Sequence, residues 1–372
     1  MMATLDKPKA ADRGKVGVFI TDCEGPVTLN DNAYELSCHF IPGGGEFFTR
    51  ISRYDDVLAD VFKRPGYKAG DTLKLILPFL KAYGATDEGM AEYSRRNVLL
   101  IPGAVEALGY VREIMPSYII STSYRHYVEA VCDALGFPHG NAYSTQVNLD
   151  RYEMTEEERV RLKELCREIL EMPILDPSPE LLSDPSRGFK PVIERLDEIF
   201  WRILPSMRCG EILSDVNPIG GEGKAEAVRD AVSRNKCSLA DAVYIGDSIT
   251  DTAPLKLVRE AGGASISFNG NEYALREAEV AVISGTATPT AILAHLFRHG
   301  GRRLVLEAAY EWTSERLQGF NLPSRLINAL KSYRSEIPLE VSIITEENLM
   351  SLLEKSKRAR KKLRGEAVGS LG

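Results

Sequence analysis

The sequence predicts an α/β fold in which helices pack on both faces of a parallel, doubly wound sheet. Three observations lead to this prediction. Short β-rich apolar runs recur at residues 16–20, 118–120, 242–245, 264–268 and 280–283. Helical patterns at residues 124–135, 224–234 and 251–261 follow several of these runs, and polar residues stand where the runs end. Strand–helix alternation of this kind is typical of a Rossmann-like sheet.

The composition is that of a globular protein. The chain has 372 residues, of which 44% are hydrophobic and 27% charged, and this excludes collagen-like, wholly disordered and disulfide-scaffold classes. The net charge of −7 argues against general nucleic-acid binding, and no apolar run is long enough to predict a membrane span. Six scattered cysteines and a polar N-terminal segment predict reduced thiols and a cytoplasmic location.

Polar side chains stand at the ends of four predicted strands, and these are Asp22, Ser121, Asp247 and Asn269. In doubly wound sheets, ligands bind beyond the carboxyl ends of the strands. We therefore expect these four residues to converge on one site.

Asp22 and Glu24 directly follow the first predicted strand. Asp22 is placed to be a nucleophile or a metal ligand, because carboxylates can form acyl-phosphate intermediates. Glu24 can donate a proton to a leaving group and later withdraw one from water. Taken alone, such a pair is more often a turn at the end of a strand.

Hydroxyl groups and a lysine stand at two predicted helix starts. Ser121 and Thr122 end the second strand, where a helix N-terminus suits a phosphate, although an ordinary N-cap is the simpler interpretation. Lys224 lies in the glycine-rich segment 220–224 and can neutralise phosphate charge, or else is a solvated lysine.

Asp247 and Asp251 lie four residues apart where the third strand leads into a helix. Oxygen ligands of this kind suit Mg²⁺. The alternative for Asp251 is a negative charge that stabilises the helix N-terminus. Asn269 adds another polar group at the end of the fourth strand.

The order of these groups resembles the haloacid dehalogenase-like (HAD) superfamily: D-x-E, then Ser or Thr, then Lys, then G-D-x-x-x-D. The resemblance covers roughly residues 15–150 and 215–295. Residues 118–124 and 243–247 look most like phosphoserine-phosphatase-type members, and residues 101–104 resemble the point where their chain returns from a helical cap.

The resemblance implies a Mg²⁺-dependent phosphatase that hydrolyses a small phosphorylated metabolite through an aspartyl-phosphate. It implies that Asp22 attacks phosphorus and that Glu24 is the acid and base. The residues implied to bind the phosphoryl group are Ser121, Thr122, Lys224 and Asn269. The residues implied to hold Mg²⁺ are Asp22, Glu24 through its backbone carbonyl, Asp247 and Asp251.

The same resemblance divides the chain into a HAD core and added segments. The expected units are the core (15–26, 99–150 and 211–298), a helical cap (27–98), a second helical insertion (151–210) and a helical C-terminal extension (299–372). The insertion is either a second cap or a partner surface. The basic tail at 355–364 is expected to be solvated and partly helical, with RNA, DNA or an acidic partner as the alternative.

Departures from the family pattern leave other functions open. Glu24 stands where these phosphatases usually have Asp, and the insertion and the extension exceed the usual length. One alternative is a non-catalytic HAD-like binding or assembly subunit, with a protein partner on 151–210 or on the extension. Another is a phosphotransferase. Residues 22–26 and 31–35 also resemble archaeal HAD-like proteins named energy-converting hydrogenase A subunit R.

Overall fold

A computed structural model describes residues 17–184 and 188–369 of the chain. The polar N-terminal segment and Val16, which begins the first predicted strand, lie outside the described residues. One sheet has the strand order β3-β2-β1-β4-β5-β6-β7. Its strands are β1 (Val18–Thr21), β2 (Ser117–Tyr124), β3 (Ala142–Thr145), β4 (Ala242–Gly246), β5 (Ala264–Phe268), β6 (Val280–Ile283) and β7 (Glu340–Ile343). The α/β prediction is confirmed, because β1 to β6 are parallel and all five predicted strands are present.

The two edge strands, β3 and β7, are not predicted by the sequence. Neither contains an apolar run, since β3 reads Ala-Tyr-Ser-Thr and β7 reads Glu-Val-Ser-Ile. β7 pairs antiparallel with β6. This corrects the expectation that residues 299–372 are helical, because the extension also adds a strand to the sheet.

Residues 27–98 form a group of helices that follows β1. They are α1 (Asn32–Phe40), α2 (Gly44–Asp56), α3 (Thr72–Ala82) and α4 (Asp87–Asn97). The side chains of Asp31 and Thr86 cap α1 and α4 by accepting hydrogen bonds, each of 3.0 Å, from backbone N–H groups in the first turn. α5 (Ala104–Ile114) then leads into β2, and α6 (Arg125–Leu135) follows that strand.

The second helical insertion packs on the first. Its helices are α7 (Glu156–Glu171), α8 (Pro179–Leu182) and α9 (Phe189–Glu198), and α10 (Glu211–Asp215) follows them. Both insertions share one buried apolar cluster, apart from the clusters that flank the sheet. Trp201 Nε1 donates to the hydroxyl of Tyr54 at 2.9 Å, and Arg64 pairs with Asp197 at 2.8 Å. The two insertions therefore form one helical body.

The remaining helices belong to the second half of the sheet and to the C-terminal extension. They are α11 (Glu222–Arg234), α12 (Thr252–Glu260), α13 (Glu272–Glu277), α14 (Thr288–Tyr310), α15 (Ser314–Gln318), α16 (Ser324–Ser332) and α17 (Leu349–Gly369). Gly300 and Gly301 leave helical geometry inside α14, which is kinked there. Within residues 17–184 and 188–369, no helix has the length and apolar character needed to cross a membrane.

The basic tail is a helix packed against the core, which corrects the expectation of a solvated tail. α17 contacts α13 and β6, and Leu352, Ser356, Ala359 and Arg360 are buried. The hydroxyl of Ser356 donates to the carbonyl of Gly270 at 2.6 Å. Apolar and small residues at helical spacing therefore hold one face of this basic segment on the sheet domain.

The buried side chain of His295 makes the stability of the folded protein depend on pH. It is buried in α14, its Nδ1 is hydrogen-bonded to the hydroxyl of Tyr110, and its ring centroid lies 4.1 Å from that of His299. Burial, and then the charge of His299, lowers the pKa of His295 to about 4. Between pH 6.5 and 4 the unfolded state therefore binds more protons at His295 than the folded state does. The contribution of neutral His295 to stability is full above pH 6.5 and is lost as pH falls toward 4.

Between pH 7 and pH 4, we expect the unfolding free energy of His295→Gln to fall less than that of wild type, by on the order of 2–3 kcal/mol. Urea unfolding at a series of pH values measures the difference. His39→Gln, at an exposed position of α1, is the matched control and should keep the wild-type slope. Equal slopes for all three proteins would contradict the assignment.

Candidate active site

The carboxyl ends of the central strands bring five of the eight predicted site residues to one cavity. Asp22 directly follows β1, and its backbone N–H donates to the carbonyl of Ile245 in β4 at 2.8 Å. A cavity of about 130 Å³ lies there. The predicted site residues that line it are Asp22, Glu24, Ser121, Thr122 and Asp247. Asp55 and Thr72 also line it, so the helical body covers the strand ends.

Three carboxylates form a buried acidic cluster. Asp22, Asp247 and Asp251 each offer one oxygen, and these oxygens all lie within 4.8 Å of one another. The ammonium of Lys224 lies 2.6 Å from Asp22 Oδ2 and 2.7 Å from Asp251 Oδ1, and its side chain is fully buried. A buried charge is tolerated when it is paired and hydrogen-bonded. Lys224 therefore neutralises part of the cluster.

The charge states in this cluster differ. Burial favours a neutral Asp251, but the charge of Lys224 and hydrogen bonds from Lys224 and Tyr244 outweigh it and lower the pKa of Asp251. Burial also opposes charge on Lys224, yet the charges of Asp22 and Asp251 raise its pKa. For Asp22, burial and the charge of Asp251 raise the pKa well above its ordinary value, against the opposing effect of Lys224. Without a further cation beside it, the charged form of Asp22 is therefore disfavoured.

The donor set fits a Mg²⁺ ion. Asp22, Asp247 and Asp251 are hard oxygen donors held close together, and a dication beside them would favour the charged form of Asp22. The carboxylate of Glu24 is not part of this group, because its Oε1 accepts the backbone N–H of Asn32 at 2.7 Å. The metal role expected for the backbone carbonyl of Glu24 stays a prediction.

Glu24 is poised to hold a proton at neutral pH. Burial, and then the charge of Asp31, raises its pKa to about 8. The N–H of Asn32, the charge of Arg364 and a hydrogen bond from Ser123 act in the opposite direction. Glu24 is therefore suited to donate a proton, as a general acid must.

Two hydroxyl groups line the cavity beside the carboxylates. Ser121 Oγ accepts the backbone N–H of Ser123 at 3.2 Å, which fixes its place at the turn of the chain. Thr122 Oγ1 is buried and has no hydrogen-bond partner among the described residues. Buried hydroxyls are usually hydrogen-bonded, so Thr122 offers an open position for an oxygen of a ligand.

Lys224 and Asn269 do not line the cavity, although both were predicted to bind phosphate. Lys224 contacts two carboxylates, as described above. The side-chain amide of Asn269 donates to the carbonyl of Ser284 at 2.7 Å and accepts its N–H at 3.0 Å, which ties the ends of β5 and β6 together. The contacts shown are structural for Asn269, and phosphate binding by either residue stays a prediction.

Two arginines of α17 line the cavity and were missed by sequence reasoning. Arg360 Nη1 donates to Asp247 Oδ2 at 2.6 Å and to the Asp247 carbonyl at 3.0 Å. Arg364 donates to the carbonyls of Leu29 at 3.1 Å and Asn30 at 2.5 Å. The sequence does contain a signal for a buried helix face here, because Ala359, Arg360 and Leu363 stand at helical spacing.

Comparisons with known proteins give one relative along nearly the whole chain. No family model and no curated protein matches. A solved structure, gene product AF1437 from Archaeoglobus fulgidus, is 31% identical, with a TM-score of 0.76, and the match covers 96% of this chain and 99% of that one. A phospho-aspartyl intermediate analogue of phosphoserine phosphatase is 14% identical over 72% of this chain and 93% of that one, with a TM-score of 0.43. The HAD family hydrolase t0658 from Salmonella enterica serovar Typhi is 12% identical over 70% and 65%, also with a TM-score of 0.43.

The backbone at Gly25 lies so close to Asp247 that it leaves no room for a side chain. Its φ is +97°, and a Cβ at this position would lie 2.3 Å from Asp247 Oδ2. We expect Gly25→Ala to lower the unfolding free energy through backbone strain, by about 1–3 kcal/mol, and further through displacement of Asp247. Gly84→Ala is the matched control, because φ there is +93° and nothing lies within 4 Å. Chemical denaturation measures both variants, and an equal loss in the two would contradict the close contact with Asp247.

Proposed function

This chain belongs to the same family as the Archaeoglobus fulgidus protein AF1437, and we propose that it is a HAD-like, Mg²⁺-dependent phosphatase of small phosphomonoesters. The observation that carries the proposal is the setting of Asp22. This buried carboxylate follows the central strand β1, contacts Lys224 at 2.6 Å and shares a cavity with Glu24, whose pKa is raised to about 8.

The first proposed step transfers the phosphoryl group to Asp22. The carboxylate of Asp22 attacks phosphorus, and the bond between phosphorus and the leaving oxygen breaks as the new bond forms. Glu24 gives its proton to the leaving oxygen, which departs as an alcohol. Lys224 keeps Asp22 oriented through their contact, and the hydroxyls of Ser121 and Thr122 hold phosphoryl oxygens.

The second proposed step releases phosphate. Glu24, now ionised, takes a proton from water as the water oxygen attacks phosphorus, and the bond to Asp22 breaks. This restores both carboxyl groups to their starting states. When bound, Mg²⁺ neutralises negative charge between Asp22 and the phosphoryl group, and Asp22, Asp247 and Asp251 would hold it. The cap limits access of bulk water to the acyl phosphate.

Asp22→Asn tests the nucleophile. We expect the rate of phosphate release to fall by about 10³-fold or more, because the amide cannot form the acyl phosphate. The assay is release of inorganic phosphate from a panel of phosphomonoesters, with and without Mg²⁺. The panel spans neutral, cationic and anionic leaving groups, because Asp31, Asp55 and Asp56 also line the cavity.

Asp133→Asn is the matched control for Asp22→Asn, since Asp133 is an exposed carboxylate on α6. It should keep wild-type turnover. Mass spectrometry of acid-quenched wild-type protein should find the phosphoryl group on the peptide that contains Asp22. Full activity of Asp22→Asn would contradict the proposed mechanism.

The protonation of Glu24 sets the expected pH dependence of the rate of phosphoryl transfer. Because the first step needs protonated Glu24, its rate should fall as pH rises through about 8. Glu24→Gln should lower this rate by about 10²–10⁴-fold and remove the fall. Asp31→Asn removes a negative charge that raises the pKa of Glu24 and should move the inflection to lower pH, while Asn still caps α1. Single-turnover rates across pH measure all three, and an unmoved inflection in Asp31→Asn contradicts the assignment.

A second candidate is a HAD-like binding or assembly subunit without turnover. The specific observation in its favour is the contact between Arg360 and Asp247, which gives one expected Mg²⁺ ligand a cation from the chain itself. This candidate expects divalent-cation binding without phosphate release on the whole panel. Turnover that requires both Mg²⁺ and Asp22 would exclude it.

We also propose a cytoplasmic location and a small phosphorylated metabolite as the binding partner. No disulfide joins the six cysteines, all of which lie in the described part of the chain, and this supports a reducing compartment. The small volume of the cavity supports a small substrate. Cell fractionation with an antibody against the chain tests the location, and recovery outside the cytoplasmic fraction would overturn it.

A further inference from the structure

The C-terminal helix delivers a guanidinium to the carboxylate of Asp247. The side chain of Arg360 is 6% exposed, and its Nη1 lies 2.6 Å from Asp247 Oδ2 and 3.4 Å from the carbonyl of Asn269. Arg364 Nη1 lies 3.6 Å from the same Asp247 oxygen. Two positive groups from one helix therefore converge on a single oxygen of the acidic cluster.

The helix that carries these arginines is anchored close to them. Ser356 Oγ donates to the carbonyl of Gly270 at 2.6 Å, in the loop that follows β5. Leu352 and Ala359 are buried in an apolar cluster with Leu275 and Ile283. The position of Arg360 is thus set by the docking of α17 as a whole.

The same helix also contacts the junction between cap and core. Arg364 donates to the carbonyls of Leu29 and Asn30, which lie between β1 and α1. The N–H of Leu29 in turn donates to the carbonyl of Leu99, where the chain returns from the cap, at 2.8 Å. α17 therefore bridges Asp247 and the paired segments on which the cap is mounted.

We propose that Arg360 and a divalent cation exclude each other at Asp247, so that docking of α17 closes the metal site and its withdrawal opens it. The proposal rests on the metal site of the proposed function. Its physical basis is that Asp247 Oδ2 already contacts one cation and that a dication beside a buried guanidinium is repelled in a site of low dielectric constant. α17 is then an autoinhibitory helix within the chain.

Mn²⁺ binding to the full-length protein, followed by the loss of the electron paramagnetic resonance signal of free Mn²⁺, tests this proposal without any turnover. We expect Arg360→Met, which keeps most of the side-chain length, to bind Mn²⁺ at least ~10-fold more tightly than wild type, a difference of about 1.4 kcal/mol. Arg358→Met, at an exposed position of the same helix, is the matched control and should bind as wild type does. Asp247→Asn should weaken binding and so identify the site.

Hydrogen exchange of the wild-type chain gives a second measurement that needs no substitution. Saturating Mg²⁺ should speed exchange of the amides of residues 352–364, because the metal displaces α17. Unchanged or slower exchange overturns the proposal. If circular dichroism shows that Arg360→Met is unfolded, the exchange experiment alone tests the proposal.

The remaining outcomes separate this proposal from the proposed function. Equal Mn²⁺ affinity of Arg360→Met and wild type overturns the exclusion and leaves the metal site standing. Weaker binding by Arg360→Met shows that Arg360 supports the metal and also overturns it. No binding to wild type or to Arg360→Met overturns both the metal site and the exclusion.

Discussion

Three buried carboxylates must be neutralised at one edge of the sheet, and the arrangement of the chain around them follows from that need. Asp22, Asp247 and Asp251 bring their oxygens together at the ends of β1 and β4. An unpaired buried charge is strongly destabilising. Lys224 from α11 contacts Asp22 and Asp251, and Arg360 from α17 contacts Asp247. The C-terminal extension therefore supplies part of the positive charge in a site that begins at the first strand.

The same charges give two neighbouring carboxyl groups different roles. Asp22 contacts an ammonium group, whereas Glu24 accepts hydrogen bonds from the N–H of Asn32 and from Ser123 and faces the negative charge of Asp31. Burial raises the pKa of both groups. A cation beside Asp22 favours its charged form, which can attack phosphorus, whereas Glu24 is held in the protonated form that can donate a proton. These surroundings support the proposed roles of Asp22 as the nucleophile and Glu24 as the acid.

The sequence predicts what is encoded locally and misses what depends on distant segments. The apolar runs of β1, β4 and β6 are continuous, so these strands could be predicted directly, together with Asp22 and Asp247 where β1 and β4 end. β3 and β7 lack such runs, because edge strands are covered less completely. The insertion at 151–210 could not be joined to the cap from sequence, since contacts such as Trp201 with Tyr54 connect remote parts of the chain. Arg360 was missed for the same reason.

α17 connects the acidic cluster to Glu24, the proposed general acid. The positive charge of Arg364 lowers the pKa of Glu24, while Arg360 contacts Asp247. Withdrawal of the helix would remove positive charge from both groups at once. Asp247 would become open to a divalent cation, and Glu24 would keep its proton to a higher pH. Both changes favour phosphoryl transfer, because that step requires positive charge beside the phosphoryl group and a protonated Glu24. A movement of one helix would therefore satisfy two chemical requirements together.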